Sequence, residues 1–103
     1  MMEKVIRDGK VAVLYSPGYG AGWYSWHDIG ELLYDPAVVE MVEKGKYKEI
    51  EEYCESVYGE SRSFSGAEDL RIEWIDIGRE FRVDEYDGSE YIEYRDELEW
   101  HVA

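Results

Sequence analysis

A glycine-rich segment beside several aromatic rings holds the residues of this sequence whose types and spacing could do chemistry. Three glycines stand at alternate positions, so the backbone could approach a ligand closely and present N–H groups to an anion. The Trp and Tyr rings around them offer faces on which a nucleobase or another flat ring could stack. The segment therefore predicts a site for a molecule that combines an anion with a flat ring, at Ser16, Pro17, Gly18, Tyr19, Gly20, Ala21, Gly22, Trp23 and Trp26.

The spacing of these glycines is not specific for a nucleotide. It lacks the Gly-Lys-Ser/Thr ending of a P-loop and the G-x-G-x-x-G spacing of the dinucleotide-binding fingerprint. A glycine turn whose aromatic rings only fill the core is the alternative interpretation. We favour binding, because two Trp and two Tyr fall within the eight residues from Tyr19 to Trp26, and ligand sites are commonly lined by aromatic rings.

Two further side chains could serve such a site. His27 lies next to the segment and could donate to a phosphate or carbonyl oxygen, although a histidine without a special role is the alternative. Arg79, or Arg82 near the same predicted turn, could hold an anionic ligand. The ordinary role of these arginines would be to pair with Glu and Asp on neighbouring strands.

Catalysis has little support in the sequence. Ser16, Ser25 and His27 lack the G-x-S-x-G context of a serine hydrolase. Cys54 lies on the apolar stripe of a predicted helix, which favours a buried structural thiol. The histidines have no Cys or second His nearby for zinc, and the acidic residues lack EF-hand spacing. We therefore expect a binding protein rather than an enzyme, with no cofactor and no metal.

The charge of the chain restricts its partners. The formal net charge is −14, and residues 67–103 hold thirteen acids and four bases, whereas residues 1–30 are neutral on balance. A field of this sign repels DNA and RNA, so we expect no nucleic-acid partner. The acidity is either a solubility device or a face that imitates nucleic acid to a basic protein. The second possibility is our alternative function.

Length and cysteine content predict the number of domains and the compartment of the protein. A chain of 103 residues has room for one domain, which we expect to span residues 1–103. A single cysteine excludes an internal disulfide and favours a reducing compartment. No apolar run is long enough for a signal peptide or a membrane span, so we expect a cytoplasmic protein that does not contact a membrane.

A strand before the glycine-rich segment and a helix after it must position the segment. Residues 11–15 are nearly all apolar and predict a central strand buried on both faces, paired through a turn at Asp8-Gly9. Ser25 and Asp28 have the spacing of a capping box and predict a helix that starts near Trp26.

The remaining elements predict an α+β fold. Asp35-Pro36 favours the start of a second helix that ends at Gly45, and helical spacing predicts a third helix from about Tyr47 to Tyr58. Residues 60–66 read as a polar loop. From Leu70 the apolar residues alternate, with turns at Gly78 and Asp87-Gly88, which indicates an antiparallel meander. We expect a mainly antiparallel sheet of about five strands with two or three helices packed on one face.

Two segments resemble a family of short proteins encoded by bacteriophages. They are residues 13–23 (VLYSPGYGAGW) and residues 81–90 (FRVDEYDGSE), about a fifth of the chain. Some small phage proteins of this kind sequester nucleotide signals made by bacterial antiviral systems such as Thoeris or CBASS. The resemblance implies a counter-defence protein that binds such a signal, for example an ADP-ribose conjugate or a cyclic nucleotide, without cleaving it. It also implies a homo-oligomer, since symmetric assembly often completes such a pocket.

Overall fold

Five antiparallel strands form two separate sheets in the computed structural model of the protein, which describes residues 3–18, 22–27, 29–59 and 64–97. The first sheet has the order β1-β2-β3, and the second pairs β4 with β5. The α+β class is confirmed, but the strands are divided between two sheets and do not form the single sheet expected. The bounds are β1 Ile6–Arg7, β2 Lys10–Tyr15, β3 Arg71–Asp76, β4 Phe81–Tyr86 and β5 Ser89–Tyr94.

Asp-Gly turns join the two hairpins, as predicted. Asp8 and Gly9 have φ angles of 53° and 75° between β1 and β2, and Asp87 and Gly88 have φ angles of 54° and 86° between β4 and β5. Two consecutive residues with positive φ are the mark of a type I′ turn, whose twist matches that of the flanking strands. These dipeptides therefore fix the register of both hairpins.

Strand β2 is buried on both faces, as its apolar run predicts. Ala12 and Leu14 belong to a cluster with the helices, whereas Val13 packs with Ile75 and the inner face of the β4–β5 hairpin. The two longer helices and the hairpin thus lie on opposite faces of the first sheet. This arrangement corrects the predicted meander, because β3 pairs with β2 and not with β4. The residues after Asp76 lead the chain to the other layer.

The helix predicted after the glycine-rich segment is shorter and earlier than expected. A single turn, α1, covers Tyr24–His27, and a 3₁₀ turn follows at Gly30–Leu33. Ser25 lies within α1 and does not cap it, because its N–H and hydroxyl are both bound to a distant carboxylate. Asp28, the other half of the predicted capping box, lies outside the described residues.

The two longer helices follow their sequence signals. Helix α2 covers Pro36–Glu43, and the Asp35 carboxylate caps it by accepting a hydrogen bond from the Ala37 N–H. Helix α3 covers Tyr47–Tyr58 and buries Ile50 and Cys54. The helical spacing of the sequence also predicts Val57 on the apolar stripe of Cys54, but the Val57 side chain is half exposed. None of the helices within the described residues is long and apolar enough to cross a membrane.

The end of the predicted polar loop belongs to the core. Residues 60–63 lie outside the described residues, but Phe64 is fully buried and a 3₁₀ turn covers Ser65–Asp69. The Phe64 ring meets the Trp23 ring edge to face, with 5.8 Å between the centroids. Phe64 therefore anchors the start of this 3₁₀ turn to the core cluster that contains Trp23.

Candidate functional site

A buried glutamate joins the two ends of the glycine-rich segment. Glu90, on β5, is 1% exposed. Its Oε1 accepts from the Ser16 N–H at 2.8 Å, and its Oε2 accepts from the Ser25 N–H at 2.8 Å and from the Ser25 hydroxyl at 2.7 Å. The Glu90 backbone N–H donates to the Ser16 carbonyl at 2.8 Å. One side chain therefore closes the loop from residue 16 to residue 25 at its base.

This contact changes the interpretation of the segment as an anion site. N–H groups at a glycine-rich turn attract a negative charge, and here the carboxylate of Glu90 is already bound to those of Ser16 and Ser25. An external anion at the same two N–H groups would have to displace a buried, fully bonded side chain. The base of the loop is therefore a structural element.

A close backbone contact holds the segment from a second direction. A Cβ on Gly66 would lie 1.9 Å from the Gly22 carbonyl oxygen and 3.3 Å from Ser16 Oγ. The Ser16 hydroxyl donates to the Gly66 carbonyl at 2.8 Å, and the Ser89 hydroxyl donates to the Pro17 carbonyl at 2.6 Å. Both ends of the segment are thus fastened by parts of the chain that are distant in sequence.

The ring of Trp23 is part of the core, which corrects its predicted role as a stacking face. It is 0% exposed, and its Nε1–H donates to the Leu32 carbonyl at 2.8 Å. Gly22 is buried too, with a φ of 77°. The described residues do not include Tyr19, Gly20 and Ala21, and the side chains of Trp26 and His27 are likewise outside the description, so those predictions stand as they were made.

Arg79 is engaged elsewhere, which corrects its predicted role at the glycine-rich segment. Its guanidinium donates to the Asp96 carboxylate at 3.0 to 3.2 Å and lies 3.6 Å from the centroid of the Tyr94 ring. Arg82 donates to Glu93, its direct partner across the β4–β5 hairpin. Cross-strand and neighbouring ion pairs, the ordinary role considered for these arginines, are what the structure contains.

A surface depression of about 410 Å³ lies at the first residues of the segment. Its volume is within the range of small-molecule sites. The lining combines a half-buried aromatic ring, carboxylates and one guanidinium, and no part of it was predicted except the two residues of the segment. The lining residues are Pro17, Gly18, Tyr47, Glu68, Asp69, Leu70 and Arg71.

Arg71 differs from the other arginines that the structure describes. Arg7, Arg79, Arg82 and Arg95 each pair with a carboxylate, whereas Arg71 makes no ion pair with any described residue. It is exposed and stands opposite Tyr15 in the β2–β3 register. An arginine without a carboxylate partner in so acidic a chain is a positive charge that an anion from solution could use. In the sequence, the one indication for Arg71 was its place next to Leu70, at the start of the alternating pattern of β3.

A second buried carboxylate lies away from the segment, at the start of α2. Asp35 is 1% exposed and accepts hydrogen bonds from the Tyr53 hydroxyl at 2.9 Å and from the Tyr58 hydroxyl at 2.7 Å. Burial, and then the hydrogen bond to Asp35, raises the pKa of Tyr53 to about 12 and raises that of Tyr58 further. Burial, followed by the charge of Asp35, raises the pKa of the Cys54 thiol to about 12. Cys54 is thus buried, as predicted, and this cluster holds α2 against α3.

These raised pKa values predict that the protein loses stability in alkali. A group whose pKa is higher in the folded state stabilises the fold fully below its unfolded pKa, and this stabilisation is lost as the pH rises through the folded value. The unfolded pKa values are 9.0 for cysteine and 10.0 for tyrosine. The contribution of these three groups to the free energy of unfolding should therefore be constant below pH 9 and fall as the pH rises from 9 to about 12.

Urea unfolding across that pH range measures the effect. The double variant Tyr53→Phe/Tyr58→Phe removes both tyrosine hydroxyls and should flatten the fall above pH 10, although it lowers stability at neutral pH by leaving Asp35 with fewer donors. Cys54→Ala should remove the part of the fall in unfolding free energy that begins near pH 9. A profile of the same shape in all three proteins would contradict this assignment.

Comparisons of the chain with protein-family models, with curated proteins and with solved structures find no match. The chemistry of the site is therefore argued from its geometry. The described residues offer a fastened loop, a depression at its edge, a ring at Tyr47, the carboxylates of Glu68 and Asp69, and the guanidinium of Arg71.

Proposed function

We propose that this protein binds and sequesters a nucleotide-derived small molecule without cleaving it, in the depression beside Pro17 and Gly18. The observation that carries the proposal is the combination of groups in that depression. Arg71 has a guanidinium without a carboxylate partner among the described residues, and it lines the same depression as Tyr47 and Asp69. Sequestration of an antiviral signal is the role that the resemblance to small bacteriophage proteins implies.

Each of these groups matches one part of a nucleotide. The Arg71 guanidinium would pair with a phosphate. The half-buried Tyr47 ring, whose hydroxyl donates to the Leu70 carbonyl at 3.4 Å, would contact the base. The Asp69 carboxylate, which has no hydrogen bond to any described residue, would accept from ribose hydroxyls. Glu68 and Asp69 also make the depression less favourable for a ligand with several phosphates, which favours one with few charges.

The fastening of the segment supports a binding role. A loop held at its base by Glu90 and against Gly66 keeps Pro17 and Gly18 in place before a ligand arrives. A preformed site loses less conformational entropy on binding than a loop that must become ordered. The structural contacts of the segment and the proposed binding at its edge are therefore compatible.

Replacing Arg71 with alanine should weaken nucleotide binding by about tenfold or more, because a charge-assisted phosphate contact is worth about 1.5–3 kcal/mol. Isothermal titration with ADP-ribose and with a cyclic dinucleotide would measure the affinity. Arg82→Ala is the matched control: it also removes one arginine from a strand, but its partner is Glu93 and it lies outside the depression.

Three outcomes would contradict the proposal. The first is an absence of heat with both probes, and the second is equal affinity of the Arg71→Ala and wild-type proteins. The third is chemical change of the probe during incubation, followed by chromatography, which would make the protein an enzyme. Recovery of intact probe with the expected loss of affinity in Arg71→Ala would support sequestration. Native mass spectrometry of the complex would also give the stoichiometry of the expected homo-oligomer.

A further inference from the structure

The outer face of the β4–β5 hairpin is an aromatic surface that is exposed at Arg82, Asp84, Tyr86 and Tyr91. Only its Ser89 end touches another described segment, through the hydrogen bond to the Pro17 carbonyl. Alternate residues of a strand share a face, and Phe81, Val83, Ile92 and Tyr94 lie on the inner face against the core. The outer face carries three cross-strand pairs, and its two tyrosines are 72% and 42% exposed. The pairs are Arg82 with Glu93, Asp84 with Tyr91, and Tyr86 with Ser89.

The charges on this face are mainly negative. Arg82 is neutralised by Glu93, with 2.5 Å between the nitrogen and the oxygen. Asp84 on the face and Asp87 in the turn are exposed, and no described residue forms a salt bridge with either. Tyrosine rings with nearby carboxylates form the type of surface that recognises a cation, because the ring attracts the cation and the carboxylate pairs with it. Nucleic acid would be repelled.

The protein already contains one arginine that is bound by a tyrosine ring and a carboxylate together. Arg79 lies 3.6 Å from the centroid of the Tyr94 ring and donates to the Asp96 carboxylate. A guanidinium on the outer face would meet the same two partners, a tyrosine ring and an aspartate, in Tyr91 with Asp84 directly opposite it. The contact of Arg79 with a tyrosine ring and an aspartate therefore shows how an arginine of another protein could bind to Tyr91 and Asp84.

We propose that the outer face of the hairpin binds an arginine-rich segment of a partner protein. The occupant is argued from charge complementarity: the face is acidic and aromatic, and residues 67–103 hold thirteen acids and four bases. Arginine suits it better than lysine, because a planar guanidinium can stack on a ring and pair with a carboxylate together. The proposal does not rest on nucleotide binding, because Tyr86, Tyr91 and Asp84 do not line the depression at Arg71. The two sites meet only where Ser89 donates to the Pro17 carbonyl.

Binding of a short fluorescent polyarginine peptide to the full chain would test the proposal. The double variant Tyr86→Thr/Tyr91→Thr removes the rings but keeps residues that favour strands. We expect it to bind at least about tenfold more weakly, as the loss of two ring contacts would give. Val57→Thr on α3, which also changes a half-exposed apolar residue, should bind within about twofold of wild type. Polylysine of the same length should bind more weakly than polyarginine.

Thermal unfolding of the variants would confirm that each is folded. Equal affinity of the wild-type and hairpin variants would overturn the proposal. An equal loss of affinity in Glu52→Gln, which changes an exposed acid on α3, would overturn it too, because the binding would then follow total charge. Sedimentation of the protein alone is the last measurement: an oligomer lost in the hairpin variant would make the face a contact between copies of this chain and contradict the proposal.

Discussion

Replacing Glu90 with glutamine should lower the free energy of unfolding by about 2–3 kcal/mol, an unusually large effect for a change of one oxygen to an amide nitrogen. The carboxylate accepts hydrogen bonds from Ser16 and Ser25 at 2.7 to 2.8 Å. An amide has only one acceptor oxygen, so its NH₂ group would face a backbone N–H in a buried position. Glu90→Ala leaves three donors without an acceptor and should cost about 4 kcal/mol or more.

Urea unfolding with Glu52→Gln as the control would isolate this effect. Glu52 is exposed on α3, so its substitution removes the same charge without a buried contact and should change stability by about 0.5 kcal/mol or less. Equal unfolding free energies for Glu90→Gln and Glu52→Gln would show that the Glu90 contacts do not stabilise the fold. Amide hydrogen exchange at Ser16 and Ser25 should also become faster in Glu90→Gln, because those N–H groups lose their acceptor.

Replacing Gly66 with alanine should destabilise the protein by about 3 kcal/mol through crowding alone. The added methyl group would lie 1.9 Å from the Gly22 carbonyl oxygen. The obstacle is the backbone carbonyl of the residue before the fully buried Trp23, so it cannot rotate away as a flexible side chain would. The 3₁₀ turn at Ser65–Asp69 and the glycine-rich segment would have to separate.

Gly30→Ala provides the comparison for Gly66→Ala. Nothing lies within 4 Å of a Cβ at Gly30, and its φ is not in the left-handed region. Thermal unfolding should therefore show Gly30→Ala unchanged or slightly more stable, whereas Gly66→Ala should unfold at a clearly lower temperature. If both variants unfold at the same temperature, the close approach of Gly66 to Gly22 is not a constraint on the fold.

Local signals in the sequence predicted much of the fold. The Asp8-Gly9 and Asp87-Gly88 turns and the Asp35 cap act within a few residues, so their chemistry can be read from the chain alone. Helical spacing predicted the bounds of α3, whose C-cap is Gly59. The division of the strands into two sheets could not be read in this way, because an alternating pattern shows that β3 has a buried face but does not name the strand beside it.

The candidate site was harder to predict because its contacts are long-range. Glu90 bonds to residues 74 and 65 positions away, and no local motif indicates such partners. One clue was present in the sequence. Glu90, Ile92 and Tyr94 are alternate residues of β5 and share a face, so the alternation placed the Glu90 carboxylate on the buried face. No feature of the sequence indicated the role of Gly66, because its close approach to Gly22 depends on a backbone segment that is distant in sequence. Trp23 was assigned to a ligand because composition cannot tell a core ring from an exposed one.

The contact between Glu90 and the glycine-rich segment also has a consequence for the order of folding. Ser16 and Ser25 precede their acceptor Glu90 by 74 and 65 residues, so the segment cannot be closed at its base until β5 has docked. Contacts between such distant positions form slowly, because the entropy of closing a long loop is lost before the contact can stabilise anything. During synthesis, we expect helix α3 and the first hairpin to form while the segment is still open. The two ends of the segment, at Ser16 and Ser25, should be joined last, once the hairpin that carries Glu90 has left the ribosome.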